Sequence, residues 1–240
     1  MNSTTTARSS PLRIGLAWGV HAFTASGAVV AVLALLASAA GDFRAAALWM
    51  LVALVIDAVD GTLARAVRVK EALPGFDGRR LDDLVDYLNY VVVPAVFLVA
   101  CGAVPHWAFA AAPVLASAYG FSQADAKTDD HFFLGFPSYW NVVALYAWGL
   151  GLTPPATAAL LLVLSALVFV PLKYVYPSRT RRLRLASSLG AALWTALVAA
   201  AVALPQRPSG APLLELSLLY PAYYVAVSCW LGGWFRRDPA

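Results

Sequence analysis

The chain has 240 residues, 61% hydrophobic and 12% charged, with a mean hydropathy of +0.71 and a formal net charge of +4. An ordinary soluble domain is about 45–50% apolar and about 25% charged, so a water-soluble fold is excluded and a separate soluble domain has no room. Cys101 and Cys229 both lie in apolar runs, which points to neither a disulfide framework nor a thiolate metal site.

A hydrocarbon core about 30 Å thick takes about 20 helical residues. By that measure the sequence predicts spans near 15–40, 44–65, 79–102, 106–124, 138–153, 155–175, 185–204 and 212–235, in one domain covering 1–240. Polar or Pro/Gly positions separate them: Gly41-Asp42, Pro74-Gly75, Pro105-His106, Thr153-Pro154-Pro155, Pro177-Ser178 and Pro205 to Pro212. The stretch ASAAGD after the first run resembles a signal cleavage site. The run from Ile14 to Ala40 is 27 residues, however, against roughly 7–15 for a signal core, so a retained first span is expected. With both termini cytoplasmic, fifteen of the seventeen Lys and Arg residues fall on that side, leaving only Arg44 and Arg207 opposite. Only an even number of spans gives this bias. The expected fold is therefore all-α, a polytopic membrane bundle of eight helices with both ends inside. Positive-inside sorting also accounts for the sequence pI near 9.2 without a nucleic-acid partner.

The second span departs from a plain membrane helix. LVALVIDAVDGTLAR begins as apolar as any span and then places Asp57 and Asp60 three residues apart. An aspartate near the bilayer centre costs roughly 2.5–3.5 kcal/mol on insertion scales, so these demand a reason. Asp57, Asp60, Gly61 and Ala64 share one arc of the second span; Gly78, Asp82 and Asp86 share one arc of the third, with Asn89 inside it and Asp83 outside. A short connection makes the two helices antiparallel neighbours, so two carboxylate pairs face each other near the cytoplasmic surface. Four carboxylates together repel unless something positive joins them, and an all-oxygen donor set suits Mg²⁺ or Mn²⁺, with room for two ions. Two metals in an acidic cradle is the arrangement for phosphoryl chemistry. Gly61, Ala64 and Gly78 would let a bulky diphosphate approach the backbone. Against this stand a structural ion pair and small residues serving helix packing, readings that fit one aspartate better than four at these spacings.

Written out, the segment is Asp57-x2-Asp60-Gly61-x2-Ala64-Arg65-x12-Gly78-x3-Asp82-x3-Asp86, which resembles the signature of the CDP-alcohol phosphotransferase family of membrane enzymes. All eight signature positions are present; the twelve-residue gap exceeds the usual eight or nine. That longer gap, the eight spans, and the segments VHAFTASG, YGFSQADAKTDDHFFLGFPSYWN and KYVYPS look like the bacterial phosphatidylcholine synthase branch. The resemblance implies Asp57, Asp60, Asp82 and Asp86 as ligands of Mn²⁺ or Mg²⁺, with Asp86 also the general base. It implies Gly61, Ala64, Arg65 and Gly78 as contacts to CDP-diacylglycerol, and phosphatidyl transfer to choline with release of CMP. It further implies a homodimer in the bacterial inner membrane, with the active site facing the cytoplasm.

Choline needs aromatic faces and negative charge. Tyr139, Trp140 and Tyr119 are the expected contacts among the cytoplasmic aromatics, which also include Tyr87, Tyr90, Phe121, Tyr174 and Tyr176, although Trp and Tyr gather at interfaces regardless of function. The charged stretch Gln123 to His131 is expected either to cap the site or to be an ordinary loop. His21 and Asn89 either line the cavity or are satisfied by a neighbouring helix. Arg179 to Arg184 offers attraction for anionic lipid. Two other readings remain. One is a different acceptor, glycerol 3-phosphate, serine or inositol, of which a phosphorylated one would want a basic pocket. The other is an ion-coupled transporter, which would hold its carboxylates nearer the midplane.

Overall fold

The computed structural model describes residues 10–123, 128, 132–176, 183–204 and 212–234. Helix α1, Pro11–Ala39, starts where the Ser10 hydroxyl accepts from the Arg13 N–H and Pro11 needs no donor. It ends at Gly41, whose φ of 76° reverses the chain, and Asp42 caps α2, Phe43–Val67, by accepting from the Ala45 N–H. So short a turn makes α1 and α2 an antiparallel hairpin, and they pack along their length.

At the far end of α2, Arg68 adopts a left-handed conformation (φ 55°) and a single helical turn, α3, Val69–Ala72, follows. Asp77 then accepts from the N–H groups of Arg79 and Arg80 and starts α4, Gly78–Tyr87. The helix widens into a π-turn at Leu88–Val92, where the Val93 N–H donates to the Leu88 carbonyl, and continues as α5, Val93–Ala100. Pro94 lies just beyond the wide turn; in a regular helix its ring would press on the carbonyl four residues back.

The second half is less regular. Helices α6 (Trp107–Ser122), α7 (Trp140–Gly149) and α8 (Pro154–Val168) are followed by α9 (Arg184–Ala203), the short α10 (Leu213–Ser217) and α11 (Leu219–Leu231). Strand β1, Phe132–Leu134, pairs antiparallel with β2, Lys173–Val175, in the register Phe132 to Val175. The sixth expected span, 155–175, is thus a 15-residue helix that stops at Val168. Pro171 cannot continue it, and the alternating Tyr and Val of 174–176 suit a strand.

Among the described residues, five helical stretches are long and apolar enough to cross a bilayer: Pro11–Ala39, Phe43–Val67, Gly78–Ala100, Arg184–Ala203 and Leu213–Leu231. The chain is a multi-pass membrane helix bundle. The remaining three expected spans correspond to α6, α7 and α8, of 16, 10 and 15 residues. The core holds Met50, Val91, Phe97, Leu98, Trp140, Leu145 and Leu161, each at most 2% exposed. Leu36, Val55, Leu115, Val163, Leu189 and Leu193 point outward, more than 45% exposed, as a lipid-facing surface requires.

Candidate active site

Helix α1 fixes α4 at close range. Gly27 admits Val85 and Asn89 against its bare backbone, and the Asn89 amide donates to the carbonyls of Gly27 and Val85, both at 3.0 Å. Asn89 is therefore a tie between helices, the second of the two expectations for it. In the N-terminal half of α1 a Cβ on Gly78 would run into the His21 imidazole. His21 is buried in an aromatic group with Trp18 and Phe76, its ring 4.5 Å from that of Phe76. Arg13 closes the same corner: its Nη2 donates to Glu71 Oε2 at 2.7 Å and its Nε to the Val67 carbonyl at 3.3 Å. The extra residues between Arg65 and Gly78 are thus bound down against α1. The guanidinium beside Glu71 holds that carboxyl below its usual range.

With the helices so placed, one carboxylate oxygen from each of Asp57, Asp82 and Asp86 lies within 4.8 Å of the others. These side chains come from α2 and α4, all half-buried. Three oxygens converging at such spacing, with no nitrogen or sulfur among them, fit a hard divalent cation. Asp83 is not in the group, as its helical phase predicts. Asp60 is more deeply set, 5% exposed, and accepts from the Thr24 hydroxyl of α1 at 2.9 Å. It adjoins the group without joining the three oxygens. Tyr90, reached through the π-turn, is 7% exposed and donates its hydroxyl proton to Asp57 Oδ2 at 2.7 Å.

Gly61 and Ala64 lie half-buried one turn further along α2, and Arg65 is exposed, its Nη2 donating to Thr62 at 2.9 Å. A Cβ on Gly61 would meet the Arg65 guanidinium at 3.2 Å. Gly61 therefore keeps that guanidinium close to the helix, and Gly78 carries a packing duty that helical phase alone did not reveal.

The three aromatic residues expected around choline separate. Tyr139 stands next to Tyr90, ring centroids 6.4 Å apart, and Tyr224 of α11 lies 5.8 Å beyond it. Trp140 is 1% exposed in the core, donating its indole N–H to Ser117 Oγ at 2.7 Å and packed on Phe136. Tyr119 lies on an open face of α6 against Phe169. Most of the 123–131 stretch, including His131, and 179–182 of the basic run lie outside the described residues. Sequence reasoning passed over Thr24 and Tyr224. Thr24 lies within the VHAFTASG segment, where nothing local marks it out from its neighbours, and no local pattern joins Tyr224 to Asp57.

No family model matches the chain. Among curated proteins it is 40% identical over 232 residues to the phosphatidylcholine synthase of Pseudomonas aeruginosa, covering 94% of this chain and 97% of that protein. It is 47% identical over 167 residues to the phosphatidylcholine synthase of Legionella pneumophila, covering 68% and 66% of the two chains. It is 37% identical over 184 residues to that of Rhizobium johnstonii, covering 75% and 76%.

Proposed function

The chain belongs to the phosphatidylcholine synthase family, and from that premise we propose that the carboxylates of α2 and α4 are where its reaction takes place. The reaction is transfer of the phosphatidyl group of CDP-diacylglycerol to choline, with release of CMP. The observation that carries the placement is the approach of Asp57, Asp82 and Asp86 to within 4.8 Å. Such a group is costly in a membrane protein unless it serves charge.

Asp57, Asp82 and Asp86 would hold Mg²⁺ or Mn²⁺, with Asp60, which Thr24 orients from the rear, as a further ligand. When bound, the divalent ions neutralise the diphosphate and stabilise charge on the departing CMP oxygen. Gly61, Ala64, Arg65 and Gly78 border the cytidine diphosphate, with Arg65 supplying positive charge at the exposed end. Asp86 takes the proton from the choline hydroxyl as its oxygen attacks the phosphorus bearing diacylglycerol, and the bond to CMP breaks. Tyr139 is the expected choline contact that adjoins the carboxylates. The site lies at the cytoplasmic face of a bacterial inner membrane, with eight spans and both ends inside, because the basic residues gather on that face. The substrate explains the location: its acyl chains belong in lipid and its nucleotide in water.

The test is CMP release by the purified protein in detergent, given CDP-diacylglycerol, Mn²⁺ or Mg²⁺, and choline, serine, inositol or glycerol 3-phosphate in separate reactions. CMP with choline alone, abolished in Asp86→Asn, is the expected result. Release with another acceptor instead would overturn the choline assignment.

A further inference from the structure

Choline carries a fixed positive charge and three N-methyl groups but no N–H, so aromatic faces and nearby negative charge recognise it rather than hydrogen bonds. Two carbons separate its nitrogen from its hydroxyl. The ammonium subsite must therefore adjoin the carboxylate that takes the hydroxyl proton. Tyr90 meets this through Asp57: its hydroxyl donates to Asp57 at 2.7 Å, and an Asp57 oxygen lies within 4.8 Å of one on Asp86, the proton acceptor. The Tyr139 ring stands 6.4 Å from that of Tyr90 at 70°, and the Tyr224 ring 5.8 Å from Tyr139 at 72°. Rings set nearly perpendicular present faces in different directions, as walls do, where a stack would hide them. These walls stand beside the carboxylates, since Tyr90 is bonded to Asp57 and the Tyr139 ring packs against that of Tyr90.

The walls are also held in place. Tyr224 donates its hydroxyl proton to the Val175 carbonyl of β2 at 3.0 Å. Behind it Tyr174 stacks at 6.5 Å and 16°, and Trp234 packs on Tyr174 at 4.8 Å. Tyr90 is buried, while Tyr139 and Tyr224 each keep part of their surface open. We propose, on the reading that choline is the acceptor, that Tyr90, Tyr139 and Tyr224 form the ammonium subsite. Tyr224, from the last long helix and remote in sequence from the carboxylates, supplies the wall that selects a quaternary ammonium.

The experiment measures KM for choline and for CDP-diacylglycerol in the parent, Tyr224→Phe and Tyr224→Leu, from CMP release. Inhibition by 3,3-dimethylbutan-1-ol, the uncharged carbon analogue of choline, is measured alongside. A desolvated cation on an aromatic face predicts a choline KM about ten- to thirtyfold higher in Tyr224→Leu, with KM for CDP-diacylglycerol within about twofold. The ring-preserving Tyr224→Phe stays within about threefold of the parent, since the face remains. The neutral analogue binds parent and Tyr224→Leu alike, because leucine is still apolar. A choline KM unmoved in Tyr224→Leu, or a rise matched by equal loss of the analogue, overturns the subsite while leaving the choline reading intact. A parent that releases CMP with another acceptor and not with choline overturns both. If Tyr224→Leu does not fold, Tyr139→Leu is measured in the same way with the same expected result.

Discussion

Tyr90 donates its hydroxyl proton to Asp57 Oδ2 across 2.7 Å, joining a π-turn of the third long helix to the carboxylate of the second. The bond occupies one oxygen of Asp57 and fixes the direction of the other. Partners of this kind around metal-binding carboxylates are typically worth about 10–100-fold in metal affinity or activity. Tyr90→Phe is therefore expected to raise the Mn²⁺ or Mg²⁺ concentration for half-maximal CMP release about tenfold. It keeps the ring, so KM for choline should stay near the parent value. A metal titration with unchanged midpoint would remove Tyr90 from this role.

Chelation gives the complementary prediction. Removing divalent ions with EDTA should abolish CMP release, and Mg²⁺ or Mn²⁺ added in excess should restore it. Activity that survives exhaustive chelation would contradict the carboxylate assignment.

Gly78 and His21 make a test by exchange of volume. Gly78→Ala drives a Cβ into the imidazole, an overpacking that costs roughly 1–3 kcal/mol. It should lower the melting temperature in detergent. Combining it with His21→Ala, which empties the space, should recover most of that loss. A double variant no more stable than Gly78→Ala would show that His21 is not the obstacle.

Trp140 separates packing from recognition. It is 1% exposed, and truncating a buried Trp to Ala costs about 3–5 kcal/mol, so Trp140→Ala should be poorly stable. Trp140→Phe should lose the bond to Ser117 and some stability, yet leave KM for choline unchanged. A selective rise in that KM would return Trp140 to the substrate.

The Arg13–Glu71 pair has a pH signature. Glu71 is depressed chiefly by the hydrogen bond from Arg13, below an ordinary value of 4.5. A depressed carboxyl contributes stability above its unfolded pKa and loses it as pH falls through the folded one. The parent should therefore be slightly more stable than Glu71→Gln at neutral pH, and the gap should close in acid below 4.5. Glu71 is exposed and Arg13 partly so, so salt should narrow the gap too. A difference independent of pH would show that the pair contributes nothing through charge.

The carboxylate group was legible because helical periodicity is local: positions 57, 82 and 86 needed only a phase and a short connection. Phase also set Asp83 aside. It could not show that Asp60 turns toward Thr24 of the first helix, since that depends on a neighbour's depth. The five long helices were equally plain. The middle of the chain was harder, because Pro171 and the pairing of β1 with β2 are decided by tertiary contact, not by hydropathy. The aromatic surroundings of the carboxylates were half legible: Tyr139 follows from its segment, whereas the place of Tyr224 beside it and the burial of Trp140 follow only from packing.

The Thr24–Asp60 contact bears on how the chain enters its membrane. Alone, the second helix would carry Asp57 and Asp60 into an apolar surround without the Thr24 hydroxyl. Beside the first helix, Asp60 has a hydroxyl at 2.9 Å and little exposed surface left. The turn at Gly41 lets the two helices meet as soon as the second emerges during synthesis. They are best inserted as a pair, the earlier-made segment acting as an intramolecular chaperone for the one that bears the aspartates.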